Sequence, residues 1–135
     1  MNQTTERAEN TEWKHDPLTS RIIGCAIEVH QYLGPGLLES TYERCLAHEL
    51  HLAGLKFTTQ TPVPVYYKGI DLDCGYRADL IVENVTLLEL KAKNQVTSTD
   101  QAQVLTYMKL AELHVGLLIN FNGKLLKDGI PRFAI

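Results

Sequence analysis

Two short stretches hold the residues whose types and spacing suit chemistry best: YRADLIVE, with Asp79, and LELKAK, with Glu89 and Lys91. Both stretches read as β-strands, and in a strand residues two apart share a face. Glu89 and Lys91 therefore project together, while Leu88, Leu90 and Ala92 face the other way. In the preceding strand Asp79 shares a face with Arg77 and Ile81, and Ala78, Leu80 and Val82 oppose them. If the two strands are adjacent, a carboxylate and a carboxylate–lysine pair converge on one spot. Such an oxygen-rich spot suits a hard divalent cation, which takes one or two carboxylates together with waters and substrate phosphate. The cation polarises a phosphate and lowers the pKa of a bound water, and a neighbouring ammonium stabilises negative charge as it develops. Charged residues alternating on the solvated face of an antiparallel pair give the same pattern. Glu89 and Lys91, however, sit among leucines.

Convergence places a condition on the hairpin. A regular two-residue loop at Glu83-Asn84 would set Asp79 opposite Leu88, on the wrong face. The spacing therefore predicts a three-residue connection or a β-bulge near Asp79. Brought together without a cation, Asp79, Glu89 and Glu39 should repel, raising at least one pKa, with Lys91 offsetting part of the repulsion.

The surrounding elements follow from periodicity. Thr19 or Ser20 is read as the cap of a helix reaching about Leu33, which the run Gly34-Pro35-Gly36 ends. A second helix begins near Leu38, carries Leu38, Tyr42, Cys45, Leu46, Leu50 and Ala53 on one face, and stops at Gly54. KFTTQTPVPVYYKGIDL is strand-rich, with Pro62 and Pro64 confining its start to an edge or bulge and a turn at Lys68-Gly69. After the two chemistry-bearing strands, Ser98 and Gln101 make a capping box for a helix to about Glu112. VGLLINF reads as a strand buried on both faces, and a short last strand falls near Ile130–Ala134. The order implies one layered α/β domain, a mixed sheet with helices on its faces, spanning residues 18–135 behind a flexible N-terminal arm of residues 1–17. Trp13 is the expected anchor of that arm.

The sequence resembles a family of small bacterial proteins at several points. GLLESTY (Gly36, Glu39, Tyr42) reproduces the GxxExxY signature from which that family takes its name. The resemblance extends through IIGCAIEVHQYLGPG, PVPVYYKG, YRADLIVE, LELKAK, AQVLTYMKL, VGLLINFN and LKDGI, covering roughly residues 20 to 130. The family is assigned to the PD-(D/E)XK nuclease-like superfamily, which implies a restriction-endonuclease-like αβββαβ core, here with one extra N-terminal helix. By that resemblance Asp79 corresponds to the acidic residue of the second core strand, and Glu89 and Lys91 to the (D/E)XK pair. Glu39 resembles an additional helical carboxylate, and Gln103 and Tyr107, four apart on one helical face, match a QxxxY element. Ala78 stands where the motif's proline would. The implied activity is phosphodiester hydrolysis dependent on Mg2+ or Mn2+, with DNA the expected substrate. Asp79, Glu89, the Leu90 carbonyl and Glu39 would hold the metal, Lys91 would position the attacking water, and Gln103 and Tyr107 would line the site. Two rivals stand beside this: a non-catalytic binding or assembly module on the same fold, and a domain acting on a nucleotide or other phosphorylated small molecule.

Composition narrows the field. The 135 residues carry a net charge of −3, which opposes strong non-specific binding to nucleic acid. The charge is unevenly spread: residues 1–55 have four Lys/Arg against eight Asp/Glu, a net of −4, and residues 56–135 have nine against eight, a net of +1. Cys25, Cys45 and Cys74 match no zinc or disulfide framework, as expected of a reducing, cytoplasmic setting. No run is long and apolar enough to span a membrane. His48 and His51 lie in HELH, which lacks the spacing of a HExxH zinc motif. The spacing of Glu28 and His30 assigns them no chemistry, and Arg77 has two readings, a phosphate contact or a pairing with a neighbouring acid.

Overall fold

The computed structural model describes residues 16–126 and 129–135. The expected arm, with Trp13, falls on residues 1–15 and lies outside the described residues, as do Lys127 and Asp128 of LKDGI. Asp16 and Pro17 are not part of an arm: they start the first helix, α1 (Pro17–Leu33). Asp16 is its N-cap, accepting from the Leu18 and Thr19 N–H groups, and proline occupies the first turn, where its missing N–H costs nothing. The cap thus lies three residues before Thr19. That threonine is buried and its hydroxyl donates to Asp16 at 2.6 Å.

Helix α2 (Glu39–Leu52) follows, with Leu38 as its N-cap and without a side-chain cap. Leu38 does not join the apolar face expected of it but is exposed, because a capping residue precedes the first helical turn. The strand-rich stretch then divides. Strand β1 (Phe57–Pro62) joins the main sheet, whereas β2 (Val65–Tyr67) and β3 (Ile70–Leu72) form a separate hairpin. Lys68 and Gly69 make its two-residue turn with φ of 47° and 84°, the positive pair that a type I′ turn needs. Strands β4 (Arg77–Val82) and β5 (Thr86–Lys91), helix α3 (Ser98–Ala111), β6 (Val115–Asn120) and β7 (Arg132–Ala134) complete the chain. The α3 capping box sits one residue earlier than expected, with Thr97 and Asp100 as its members in place of Ser98 and Gln101. The device is unchanged: each side chain bonds the other's main-chain N–H.

The main sheet has the order β1-β4-β5-β6-β7. Its β5–β6 pair is parallel and the other pairs are antiparallel, with α3 as the crossover that a parallel pair requires. This is the mixed, helix-flanked sheet of a restriction-endonuclease-like core. On one face α1 and α2 pack Ile22, Ile23, Tyr42 and Leu46 against Leu88, Leu90 and Ile119. On the other, α3 packs Val104 and Met108 against Leu87, Leu118 and Phe133. Gly116 permits the close approach of α3 to β6, since a Cβ there would lie 2.6 Å from the Met108 sulfur. The result is that β5 runs through the centre, buried on both faces and bearing Glu89 near its end. Among the described residues no helix is long and apolar enough to cross a membrane, and Cys25, Cys45 and Cys74 are free thiols.

Candidate active site

The β4–β5 register is Val82↔Thr86, Ile81↔Leu87 and Leu80↔Leu88. The connection therefore comprises three residues, Glu83, Asn84 and Val85, with Glu83 and Asn84 both at φ of 55°. This is the connection that convergence demands, because the same register carried one step further sets Asp79 opposite Glu89. Main-chain pairing stops at Leu80↔Leu88 and the carboxylates take over. Leu90 N–H donates to Asp79 Oδ2 at 2.8 Å, and Asp79 N–H donates to Glu89 Oε1 at 3.2 Å.

The β1–β4 ladder has an irregularity at the same level. Its pairs run from Phe57↔Val82 to Thr59↔Leu80 and resume at Thr61↔Ala78, leaving out Gln60 and Asp79. Gln60 has φ of 47°, a left-handed conformation uncommon for a side-chain-bearing residue. The alternation of β4 slips there. Leu80 and Val82 pack toward α1 and α2 as expected, but Ala78 packs toward α3 with Leu87 and Tyr107, on the side where a regular strand would not put it. The Gln60 amide bridges two acids, donating to Glu43 at 2.6 Å and to Asp79 Oδ1 at 3.3 Å. Glu43 and Gln60 are thus members of the cluster that the motif did not reveal. Glu43 was open to inference, being four residues after Glu39 and on the same helical face. Gln60 carried no signal, because its role depends on a backbone kink.

Glu89 is only 5% exposed. Burial, and then the Asp79 charge, push its pKa up to about 8, against smaller opposing effects of the Asp79 N–H and Lys91. Glu39 and Glu43 shift the same way, each chiefly through lost hydration and with Asp79 adding to it. Lys91 has no carboxylate within ion-pair distance among the described residues, whereas Lys93 is committed to Asp100 at 2.5 Å. The acids thus outnumber the cations close to them.

That imbalance is a test of whether a divalent cation suits the site. Among the described residues no three His, Cys, Asp or Glu side chains form a ready-made cage. The site offers instead two carboxylates and a main-chain carbonyl. Lys91 C=O accepts from Phe121 N–H on the β6 side; because successive carbonyls alternate, Leu90 C=O is directed toward β4, where the ladder has ended. Hard oxygen donors in small number, short of positive charge, fit a cation that keeps several waters.

The signature residues around Glu39 have a visible task. Tyr42 is fully buried and stacks on Phe121 with ring centroids 4.5 Å apart. Its O–H donates to Gly34 C=O at 2.5 Å and accepts from Leu37 N–H at 3.2 Å. Gly36, between them, has φ of 99°. Tyr42 therefore pins the loop from which Glu39 opens α2, and His30 fastens the other side, its Nε2 2.6 Å from Gly123 C=O. Tyr42→Phe should keep the stacking but lose both bonds, lowering stability by about 1–3 kcal/mol. Denaturant unfolding measures this, and an unchanged midpoint would remove Tyr42 from the loop's support.

Gln103 and Tyr107 are brought to each other, amide to hydroxyl at 2.9 Å. They line a groove with Val65 and Tyr76, and no hydrogen bond joins them to Asp79, Glu89 or Lys91. Arg77, His48 and His51 are exposed. No curated protein and no solved structure gives a significant match to the chain. A family model described as the PD-(D/E)XK nuclease superfamily matches residues 16–133. The match runs from the start of α1 into β7, including the strands that carry Asp79, Glu89 and Lys91, and the chain belongs to the PD-(D/E)XK nuclease superfamily.

Proposed function

We propose that the chain is a metal-dependent phosphodiesterase acting on nucleic acid, with DNA its substrate, and that it belongs to the GxxExxY group within the superfamily. Residues 16–135 would form its single domain. The observation that carries this reading is the break in the β4–β5 ladder, where main-chain N–H groups hold the Asp79 and Glu89 carboxylates together. Lys91 is two residues further along the same strand. An ordinary solvated strand pair has no reason to bury Glu89 against a half-buried Asp79, because their repulsion costs stability.

Asp79, Glu89 and the Leu90 carbonyl would hold Mg2+ or Mn2+, with Glu39 at the mouth acting through water. A cation held there polarises the scissile phosphate and lowers the pKa of a bound water. The chain's own residues do the rest. The Leu90 and Asp79 N–H groups fix the carboxylates, the Glu43–Gln60 pair holds the second oxygen of Asp79, and the Lys91 ammonium meets the charge that develops on the phosphate oxygens. Gln103 and Tyr107 would contact substrate at a distance from the reacting atoms.

The experiment is a cleavage panel of single- and double-stranded DNA and RNA with magnesium, manganese or chelator. Cleavage should require metal, and Asp79→Ala should lose both cleavage and the metal-dependent rise in melting temperature. The net charge of −3 favours a second reading, a non-catalytic assembly module. That reading wins if no substrate is cut and Asp79→Ala leaves the melting response to metal unchanged. Cleavage confined to nucleotides or other small phosphate esters would keep the metal chemistry and remove nucleic acid as the substrate.

A further inference from the structure

The β2–β3 hairpin presents apolar side chains that nothing in the described fold covers. Its register, Val65↔Leu72, Tyr66↔Asp71 and Tyr67↔Ile70, puts Val65, Tyr67, Ile70 and Leu72 on one face and Tyr66 with Asp71 on the other. Tyr67 is 57% and Ile70 55% exposed. Val65, at the inner end of this face, also lines an open groove of about 600 Å³ floored by Tyr76, Gln103, Thr106 and Tyr107. Tyr76 leans on Tyr107 at 5.8 Å between centroids and is itself 45% exposed.

We infer that this groove and the adjoining hairpin face seat the unpaired bases of a single-stranded nucleic acid whose phosphate lies at the Asp79–Glu89 site. The inference rests on the phosphodiesterase reading and supplies its substrate class. Position along the chain gives the connection. Tyr76 precedes Asp79 by three residues, about 10 Å along a strand, or roughly three stacked nucleotide rises. The side of the sheet agrees. Leu87 packs toward α3, so Glu89 and Lys91, two and four residues on, lie on the face where Tyr107 and Gln103 stand.

The chemistry favours bases over a protein partner. Exposed aromatic faces bind any unstacked base by its π-face, which a duplex hides. The Gln103 amide, spending one N–H on Tyr107, retains a carbonyl and a second N–H for a base edge. Each exposed tyrosine of this surface is followed by a cation suited to phosphate. Lys68 lies 5.4 Å over the Tyr67 ring, and Arg77 is exposed beside Tyr76. Of the nearby acids, Asp71 shares the opposite face with Tyr66, and Asp73 folds back on its own loop, one oxygen accepting from Gly75 N–H at 3.0 Å. Lys68 also holds a φ of 47°, a position that asparagine or glycine would take more readily. Two three-residue strands are short of the roughly 800 Å² per partner that a stable dimer needs.

The test is anisotropy of a labelled 12-mer, single-stranded or annealed to its complement, titrated with the full chain in chelator so that nothing is cut. The single strand should bind at least about tenfold more tightly than the duplex. Tyr67→Ala and Tyr76→Ala should each weaken it about tenfold, Tyr67→Trp should retain it, and Tyr66→Ala should leave it unchanged. Lys68→Ala should lower the salt dependence by about one phosphate contact. Equal or tighter duplex binding overturns the inference, as does a loss for Tyr66→Ala matching that for Tyr67→Ala. A dimer that Tyr67→Ala dissociates, with no oligonucleotide bound, overturns it in favour of self-association. The two readings fail separately. Duplex cleavage without single-strand binding removes the platform and keeps the phosphodiesterase, whereas Tyr67-dependent single-strand binding with no cleavage does the reverse.

Discussion

Lys91→Ala should keep the metal-dependent rise in melting temperature and lose phosphodiester cleavage by a factor of about 100 or more. The two effects separate because of where charge sits at each stage. Asp79 and Glu89, which would hold the cation, keep their main-chain donors in this variant, since those bonds come from Leu90 and Asp79 N–H groups. Substituting residue 91 leaves these bonds in place. Lys91, with no carboxylate in ion-pair reach among the described residues, is available for the charge that grows on the phosphate in the transition state. Removing a donor of that kind costs on the order of a hundredfold in other enzymes. Lys91 also offsets part of the upward push on the Glu89 pKa, so its loss should leave the metal-free protein slightly less stable. The variant then responds to metal at least as strongly as the wild type. Single-turnover cleavage alongside thermal melts in magnesium measures both. Cleavage equal to wild type would remove Lys91 from the chemistry, and a lost metal response would show that its role is to hold the fold.

Much of this site could be read from residue types because its core lies on two neighbouring strands. The period of a strand decides which side chains share a face, and parity then decides the loop. Asp79 and Glu89 can meet only if the hairpin has an odd connection or a bulge, and Glu83–Val85 supplies three residues. The break in β4 was less legible. Ala78 packs toward α3 because Gln60 turns left-handed beside Asp79, and a single φ of that sign leaves no compositional trace in a glutamine. Glu43 escaped for a different reason. A second acid one helical turn after Glu39 looks like solvated surface until a strand brings Asp79 beneath it. Gln103 and Tyr107 were legible as a pair, four apart, but their distance from the carboxylates depends on how α3 lies across β6, which follows from packing at Gly116 and Met108.

The architecture followed the same division. Long periodic runs such as VGLLINF declared their elements, whereas boundaries went to whichever capping group had the better partner. Asp16 captures the start of α1 because its carboxylate reaches the Leu18 N–H and the Thr19 hydroxyl, and also meets Arg132 at 3.2 Å. That last contact joins residues 116 positions apart and has no local signature. The β2–β3 hairpin was visible as a turn at Lys68-Gly69, but its separation from the main sheet was not. Strand β1 ends at Pro62, one more main-chain bond joins Val63 N–H to Tyr76 C=O, and Pro64 offers no N–H to continue the ladder, so the chain leaves the sheet until Tyr76.

Without divalent metal, the protein should lose stability as pH rises from about 5 to about 8, and Glu89→Gln should abolish most of that loss. In the unfolded chain Glu89 titrates near 4.5, whereas in the fold burial and then Asp79 push it up to about 8. Between those values the native state binds the extra proton, so unfolding releases it and stability falls as pH rises. The contribution is fully present below about 4.5 and is gone above about 8. Glu39 and Glu43 shift in the same direction and add to the slope, while Asp16 and Asp100, which shift downward, act only at more acid pH. A tenfold difference in proton affinity between the folded and unfolded chain corresponds to about 1.4 kcal/mol. A fall in melting temperature on the order of 10 °C across this window is the expected scale. Saturating magnesium should cancel or invert the slope, since the cation takes the place of the Glu89 proton and gains affinity as Glu89 ionises. Glu89→Gln carries the neutral shape permanently, so its metal-free melting curve should keep only the shallower slope that Glu39 and Glu43 contribute and be insensitive to magnesium. Thermal melts at half-unit pH intervals, with magnesium or chelator, distinguish these outcomes. A Glu89→Gln protein with the wild-type slope would place the titrating group elsewhere, and one that still gains stability from magnesium would remove Glu89 from the cation's ligands.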